Sequence, residues 1–254
     1  MNLDTRQSVY DLLKNFAQKS LKSYDLETLK KAYPFHRLFF DEVGLVAFKQ
    51  ERSVVTKMGQ RLYPDLAKCI AQEHYQNVAL EHEITGTLKK SAADTIARIV
   101  RELRSGQRRP NHASEVAEIA NPNNIAENET VEIRVIADLY IGDFYKGPFF
   151  VEIKTPLPNL DICAETKHKI LTFIALLHQH NPRGYLAFPY NPFITRADYK
   201  HSFTKQIMDL QNEVLMAGEF WDEIGGAGTF DQLLEIIEKV GNDLREEKNQ
   251  LRLG

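Results

Sequence analysis

The chain is poor in cysteine, in long apolar runs and in net charge, and each shortage excludes a class of protein. Of its 254 residues only Cys69 and Cys163 are cysteines. They lie far apart, with no CxxC pair and no histidine at ligand spacing, which rules out a zinc finger or disulfide scaffold and suits a reducing compartment. The longest apolar stretches, Val43 to Phe48 and Ile170 to Leu177, are too short to cross a bilayer, and the first 30 residues are polar, without a secretory leader pattern. A cytoplasmic protein with no membrane partner is therefore expected. GxSxG, HExxH and P-loop patterns are also missing; Gly225 to Gly228 has no following Lys-Ser/Thr and reads as a turn ahead of a helix. Hydrophobic residues at 43% and charged residues at 26% are ordinary for a globular chain, so disorder is excluded too.

What is present divides by periodicity. The first part is helical. Val9, Leu12, Leu13 and Phe16 recur at helical spacing behind the capping box of Asp4 and Gln7, and residues 26–33 and 48–75 follow, with Pro64 expected to break or kink the second. A further helix behind Ser91 and Asp94 presents Ala92, Ile96, Ile99, Val100 and Leu103 on one face and ends at Gly106. Residues 107–130 read as a loop between two compositionally different parts. From Val131 the period becomes two. Residues 131–138 and 149–155 read as strands joined by a turn, followed by a helix at 160–179, a strand at 185–188, and helices at 199–217 and 230–248. The expected fold is α/β or α+β: a small mixed central sheet flanked by helices. We read one domain over 1–254, with a mainly helical part at 1–110, a core at 129–210 and C-terminal helices at 211–254.

The chemistry concentrates on the two strands. Glu152 and Lys154 are two apart and share a face, and Asp138 ends the preceding strand on its polar face. Paired across the turn, Asp138 and Glu152 converge. Two carboxylates with the Ile153 carbonyl offer the hard oxygens that Mg²⁺ prefers, and Lys154 is placed to orient a water beside a phosphate. The bland alternative is an exposed hairpin carrying a Glu/Lys pair.

An Asp, a gap and Glu-x-Lys on the next strand resemble the PD-(D/E)XK nuclease superfamily, with Ala137 where that pattern often has Pro. The likeness extends along the chain. Phe150 to Asp161 (FVEIKTPLPNLD), Ala187 to Phe193 (AFPYNPF), Tyr199 to Ile207 (YKHSFTKQI) and Glu219 to Phe230 (EFWDEIGGAGTF) are similar to the TdeIII-type family of type II restriction endonucleases. So are Pro34 to His36, Glu51 to Ser53 and Gly59. The resemblance implies Mg²⁺-dependent cleavage of double-stranded DNA at a short palindrome of the GGNCC kind. It also implies a homodimer, because a two-fold target is cut once per strand by two identical sites. It assigns Asp138 and Glu152 as metal ligands and Lys154 as the catalytic lysine, with Glu51 as a further acid from a helix. A repair or junction-resolving nuclease, and a non-enzymatic nucleic-acid-binding or protein-binding module with a structural ion-pair cluster, remain as alternatives.

DNA contacts are expected from basic segments. Residues 89–109 hold seven Lys or Arg against two acids, including Arg108 and Arg109 at the end. Asn159, Lys167 and Lys169 follow the Glu-x-Lys strand, and Arg196, Lys200 and Lys205 are interleaved with Tyr190, Phe193 and Tyr199. Residues 219–247 carry nine acids against two bases. The overall charge of -3 is thus a sum over regions of opposite sign, and the acidic C-terminal helix is expected to face away from a duplex.

Overall fold

A computed structural model describes residues 1–20, 23–120 and 129–253. Its centre is a five-stranded mixed sheet in sequence order. The strands are β1 (Val78–Lys89), β2 (Thr130–Ile141), β3 (Phe149–Ile153), β4 (Arg183–Phe188) and β5 (Val214–Met216). β1, β2 and β3 pair antiparallel; β3, β4 and β5 pair parallel. The β3–β4 crossover is the helix α7 (Leu160–Leu176), the connection that a parallel pair requires. The α/β expectation holds.

One face is covered by α1 (Leu3–Ser20), α4 (Tyr63–Ala71), α9 (Gly218–Gly225) and α10 (Thr229–Leu253). Val9, Leu66, Ile70, Trp221 and Leu233 there pack on Leu139, Ile141, Phe149 and Val151. The other is covered by α5 (Lys90–Arg104), α6 (His112–Ile119), α7 and α8 (Ser202–Ile207), with Ile96, Leu103, Leu171 and Phe173 against Phe150, Leu186 and Phe188. The remaining helices, α2 (Leu26–Ala32) and α3 (Glu42–Lys57), flank the first face.

Several sequence expectations are tested by these elements. β1 falls inside the part read as helical, as the sheet edge along β2. It eluded the reading because Glu81, His82, Glu83 and Thr85 dilute its apolar alternation on an exposed edge. The helix expected over 199–217 is only α8 followed by β5, so a strand also lies within the segment read as C-terminal helices. Tertiary packing of Val214 and Met216 overrides local helix propensity there. The interruption expected at Pro64 is present: a π turn at Met58–Leu62 separates α3 from α4 just ahead of it, and the proline occupies the first turn of α4, where its missing N–H costs nothing. The loop expected over 107–130 contains α6, and its residues 121–128 lie outside the described residues.

β2 alternates as its period-two pattern requires, exposed with half-exposed residues as far as Arg134 and buried with half-exposed residues from Val135 on. Its buried residues change partners midway. Val135 and Ala137 belong to the α5–α7 core, Leu139 and Ile141 to the α1–α4 core. Asp138 stands at the change, so it does not end the strand. The register places it opposite Glu81 of β1, whose φ of 48° lies in the left-handed region. β3 stops at Ile153 while β1 and β2 run on past it, leaving the end of β3 open to one side. α10 is held to α1 by Arg6–Glu235 at 3.0 Å and Lys14–Glu247 at 2.7 Å.

Candidate active site

All five side chains of β3 are buried, and Glu152 is among them at 1% exposure. An ionised carboxylate in that position needs compensating partners. Lys154 Nζ lies 3.0 Å from its Oε2 and Lys169 Nζ donates to its Oε1 at 3.0 Å. The β2–β3 ladder, with Leu139 opposite Val151, brings Asp138 opposite Glu152 on the next rung. Asp138 Oδ2 accepts the Ile153 backbone N–H at 2.8 Å and a bond from Lys154 Nζ at 2.6 Å. The expected convergence is therefore present, with Lys154 between the two acids. Lys154 is itself positioned by its backbone N–H, which donates to Ala187 at 3.0 Å.

Burial raises the Glu152 pKa, and the neighbouring Asp138 charge adds to that; Lys154 and Lys169 pull it partly back. For Lys154 burial acts in the opposite direction, but Glu152 and Asp138 outweigh it and the pKa is raised. Lys154 is thus held as an ammonium. Asp138 and Glu152 supply hard oxygen donors of the type that bind a divalent cation, and Mg²⁺ is commonly held by one or two carboxylates, with waters and substrate phosphates as its other ligands. Among the described residues no three His, Cys, Asp or Glu side chains converge to hold an ion. The two acids fit a site that substrate and water complete.

The cluster opens into a cleft of about 1000 Å³. The sheet supplies Leu80, Glu81, Asp138, Ile153 and Lys154. The opposite wall is the end of α3, the π turn and the start of α4, with Thr56, Gly59, Gln60, Arg61 and Asp65. Sequence reasoning missed Gln60, Arg61, Asp65 and Glu81. The sequence carries no signal for them; in the structure the first two stand on the π turn, a distortion that recurs at functional sites.

The other candidates separate by environment. Glu51 is exposed on α3 and is not part of the cleft wall. Lys167 is fully buried between Glu115 and Glu213, at 2.5 and 2.6 Å, and does not face a duplex. Arg108 is bound to Glu102 and Glu118, at 3.0 and 2.8 Å, and so braces α5 against α6. Arg196 spends its guanidinium on Glu219 and on the carbonyls of Leu210 and Val214. In each case a nearby acid that is distant in sequence claims the cation. Asn159 caps α7, accepting the Ile162 N–H at 2.9 Å. Arg109 and Lys200 are exposed. No helix among the described residues is long and apolar enough to cross a membrane, and none of α10 lines the cleft.

A model of the type II restriction endonuclease family named for HinfI matches residues 1–241. Type II restriction enzyme HgiCII of Herpetosiphon aurantiacus is 28% identical, with 95% of each chain covered. HgiEI of the same organism is 29% identical over 95% of this chain and 94% of the relative. MjaII of Methanocaldococcus jannaschii is 25% identical over 85% of this chain and 64% of the relative. No solved structure matches the chain.

Proposed function

The chain belongs to the HinfI family of type II restriction endonucleases, and from that premise we propose that the cleft of Asp138, Glu152 and Lys154 is a PD-(D/E)XK site. There the enzyme hydrolyses one phosphodiester in each strand of a short palindrome of the GGNCC kind. The observation that carries the reading is the ion network at the open end of β3: two acids from adjacent strands bridged by a lysine, with Asp138 and Lys154 lining a cleft and Glu152 buried directly behind them. The same residues fit a structural ion pair less well, because a structural pair has no use for a cleft of that size beside it.

Asp138 and Glu152 would hold a Mg²⁺ ion, whose chemistry there is Lewis-acid polarisation of a phosphate oxygen and acidification of a bound water. The chain's own residues do the rest. Lys154 Nζ, kept protonated by its two carboxylate neighbours, orients the attacking water and offsets negative charge that builds on the phosphate oxygens. Water's oxygen bonds to phosphorus, the P–O3′ bond breaks, and the 3′ oxygen takes up a proton. The products are a 5′-phosphate and a 3′-hydroxyl. Lys169 fixes the Glu152 carboxylate from α7. Asn159, Arg109 and Lys200, with Gln60 and Arg61 of the cleft, are the groups proposed to meet the duplex. The enzyme is proposed to act in the cytoplasm as a homodimer, one site per strand.

Digestion of defined duplexes with Mg²⁺, with EDTA and with no added metal, followed by run-off sequencing of the ends, tests this. Fixed positions within one short palindrome, cut only with the metal, are expected. Cutting that tracks junctions or lesions rather than sequence would overturn the restriction reading, and cutting in EDTA would overturn the metal site.

A further inference from the structure

The largest concentration of exposed apolar side chains lies away from the cleft, on a 3-10 turn (Pro34–Leu38) and the start of α3. Phe35, Leu38, Phe39 and Val43 are each more than three-quarters exposed, and Phe40 is 40% exposed. With aromatic side chains at about 150–250 Å² each, the five present roughly 600 Å² of apolar surface. That is the upper end of what a monomer carries, and it approaches the ~800 Å² that one partner contributes to a stable interface.

The patch is built rather than frayed. Phe40 stacks on Phe48 with ring centroids 5.7 Å apart, and His36 packs on the same ring at 4.7 Å. Tyr33 meets both His36 and Phe48 edge-on. Asp41 caps α3 by accepting the Gly44 N–H at 2.7 Å, which fixes the chain between the aromatic turn and the helix. Beside the projecting rings lies a groove of about 400 Å³ lined by Leu26, Glu42, Val43, Val46, Ala47 and Gln50, with the Glu42 carboxylate paired to Lys30 at 2.6 Å. Projection and groove therefore lie side by side on one surface. A two-fold axis brings each copy's rings to the other's groove, which is the self-complementarity an isologous interface needs. The exposed charges around the patch, Lys31 and Arg37 with Asp41 and Glu42, are of both signs, so like surfaces meet without net repulsion.

We propose that this face is the homodimer interface, occupied by the same face of a second copy. The proposal rests on the two-site reading above and deepens it: α3 carries Val43 in the patch and Val55 and Thr56 on the cleft wall. One continuous helix thus ties the interface to the catalytic cleft. Dimerisation through it sets where the two clefts stand relative to each other.

Sedimentation velocity of the full chain measures this without any cleavage. The wild type is expected to sediment at about twice 29.2 kDa at micromolar concentration, and the Phe35→Asp/Phe39→Asp double variant at 29.2 kDa. Both should share one circular dichroism spectrum, and the variant's melting temperature should lose the concentration dependence that association gives the wild type. Ile194→Asp, an exposed apolar position outside the patch, should remain dimeric. On supercoiled plasmid the double variant should accumulate nicked circles that the wild type does not. If the double variant fails to fold, the milder Leu38→Lys/Val43→Lys variant replaces it, and it too should sediment at 29.2 kDa. A monomeric wild type, or a folded patch variant that stays dimeric, would overturn the proposal. A dimer broken by the double variant in a protein that cuts no DNA would leave the interface standing and sink the nuclease reading instead.

Discussion

Two lysine–carboxylate clusters share α7, and only one opens to solvent. Lys167 and Lys169 are two residues apart, so they leave the helix about 200° apart. Lys169 reaches Glu152 at the cleft; Lys167 points into the core between Glu115 and Glu213. The inner cluster is closed. Glu213 also bonds His112 and the Asp209 N–H, Glu115 accepts the Asn111 N–H, and both acids are fully buried. It ties α6, α7 and the approach to β5 together. The outer cluster has similar chemistry, but Asp138 and Lys154 are each 28% exposed on a cleft wide enough for a ligand. Access, not residue type, separates a structural site from a candidate catalytic one.

The comparison breaks first at Asp138 and Lys154. Asp138→Ala or Lys154→Ala is expected to lower single-turnover cleavage by about 10²–10³-fold or more, the scale of losing one group that stabilises transition-state charge. Duplex binding in a gel shift should stay near wild type in both. Melting temperature should be held by Asp138→Ala, which relieves the charge beside Glu152, and should fall in Lys154→Ala, which leaves buried Glu152 with Lys169 alone. Wild-type cutting rates in both variants would place the chemistry elsewhere.

Lys167→Ala should do the reverse. Removing one partner of a buried ion pair leaves uncompensated charge and costs about 3–5 kcal/mol, read as a drop in urea unfolding free energy at pH 7. Activity per folded molecule should be retained. The acid behaviour of this cluster follows from its two carboxyls. Burial raises the Glu115 pKa, an effect that Lys167 only partly offsets. Burial acts the same way on Glu213, but Lys167 and a bond from His112 outweigh it and hold Glu213 low. Glu115 therefore favours the fold in its neutral form, and that contribution is lost as pH rises through its raised pKa. The Glu213 contribution is present above its unfolded value and lost as pH falls through its lowered one. On acidification the first proton goes to Glu115 and relieves the cluster. Unfolding measured from pH 7 to pH 3 should show the Glu115→Gln variant with a flatter profile at the upper end and the same loss at the lower end. An unchanged upper end would show that Glu115 does not titrate there.

These environments also decide how much was legible in sequence. The Asp138, Glu152 and Lys154 set was readable because its geometry is local: a period of two fixes faces, and one hairpin fixes register. The α/β class followed from the same periodicity. β1 was not readable, because an exposed edge strand need not alternate strictly. Nor were the fates of Lys167, Arg108 and Arg196, whose partners Glu115, Glu118 and Glu219 stand from 10 to 52 residues away in sequence. A lysine destined for a buried pair looks the same in sequence as one destined for a phosphate. The wall of Gln60, Arg61 and Asp65 was hidden for a related reason: α3 and α4 reach the site only through packing against the sheet.

A smaller effect is expected at Lys169. Loss of one charge-assisted bond, about 1.5–3 kcal/mol, should slow cleavage by roughly ten- to a hundredfold. Lys169 pulls the Glu152 pKa down, so Lys169→Ala lets it rise. Glu152 then takes up its proton at a higher pH, and the acid limb of the cleavage profile should move up. A uniform loss of rate with no movement of that limb would show that Lys169 acts on something other than the Glu152 charge.

The finest test lies at the start of the shared helix. Asn159 caps α7 through its side-chain oxygen, while its amide nitrogen is the part proposed to meet DNA. Asn159→Ala removes both and should cost about 1 kcal/mol of stability. Asn159→Asp keeps the cap and places a negative charge at the helix N-terminus, where it is favourable, so stability at pH 7 should match wild type. The same carboxylate repels a phosphate. If Asn159 faces the duplex, Asn159→Asp weakens binding while leaving unfolding unchanged. If the residue serves only the helix, Asn159→Asp behaves as wild type in both measurements, and α7 is tied to the site by Lys169 alone.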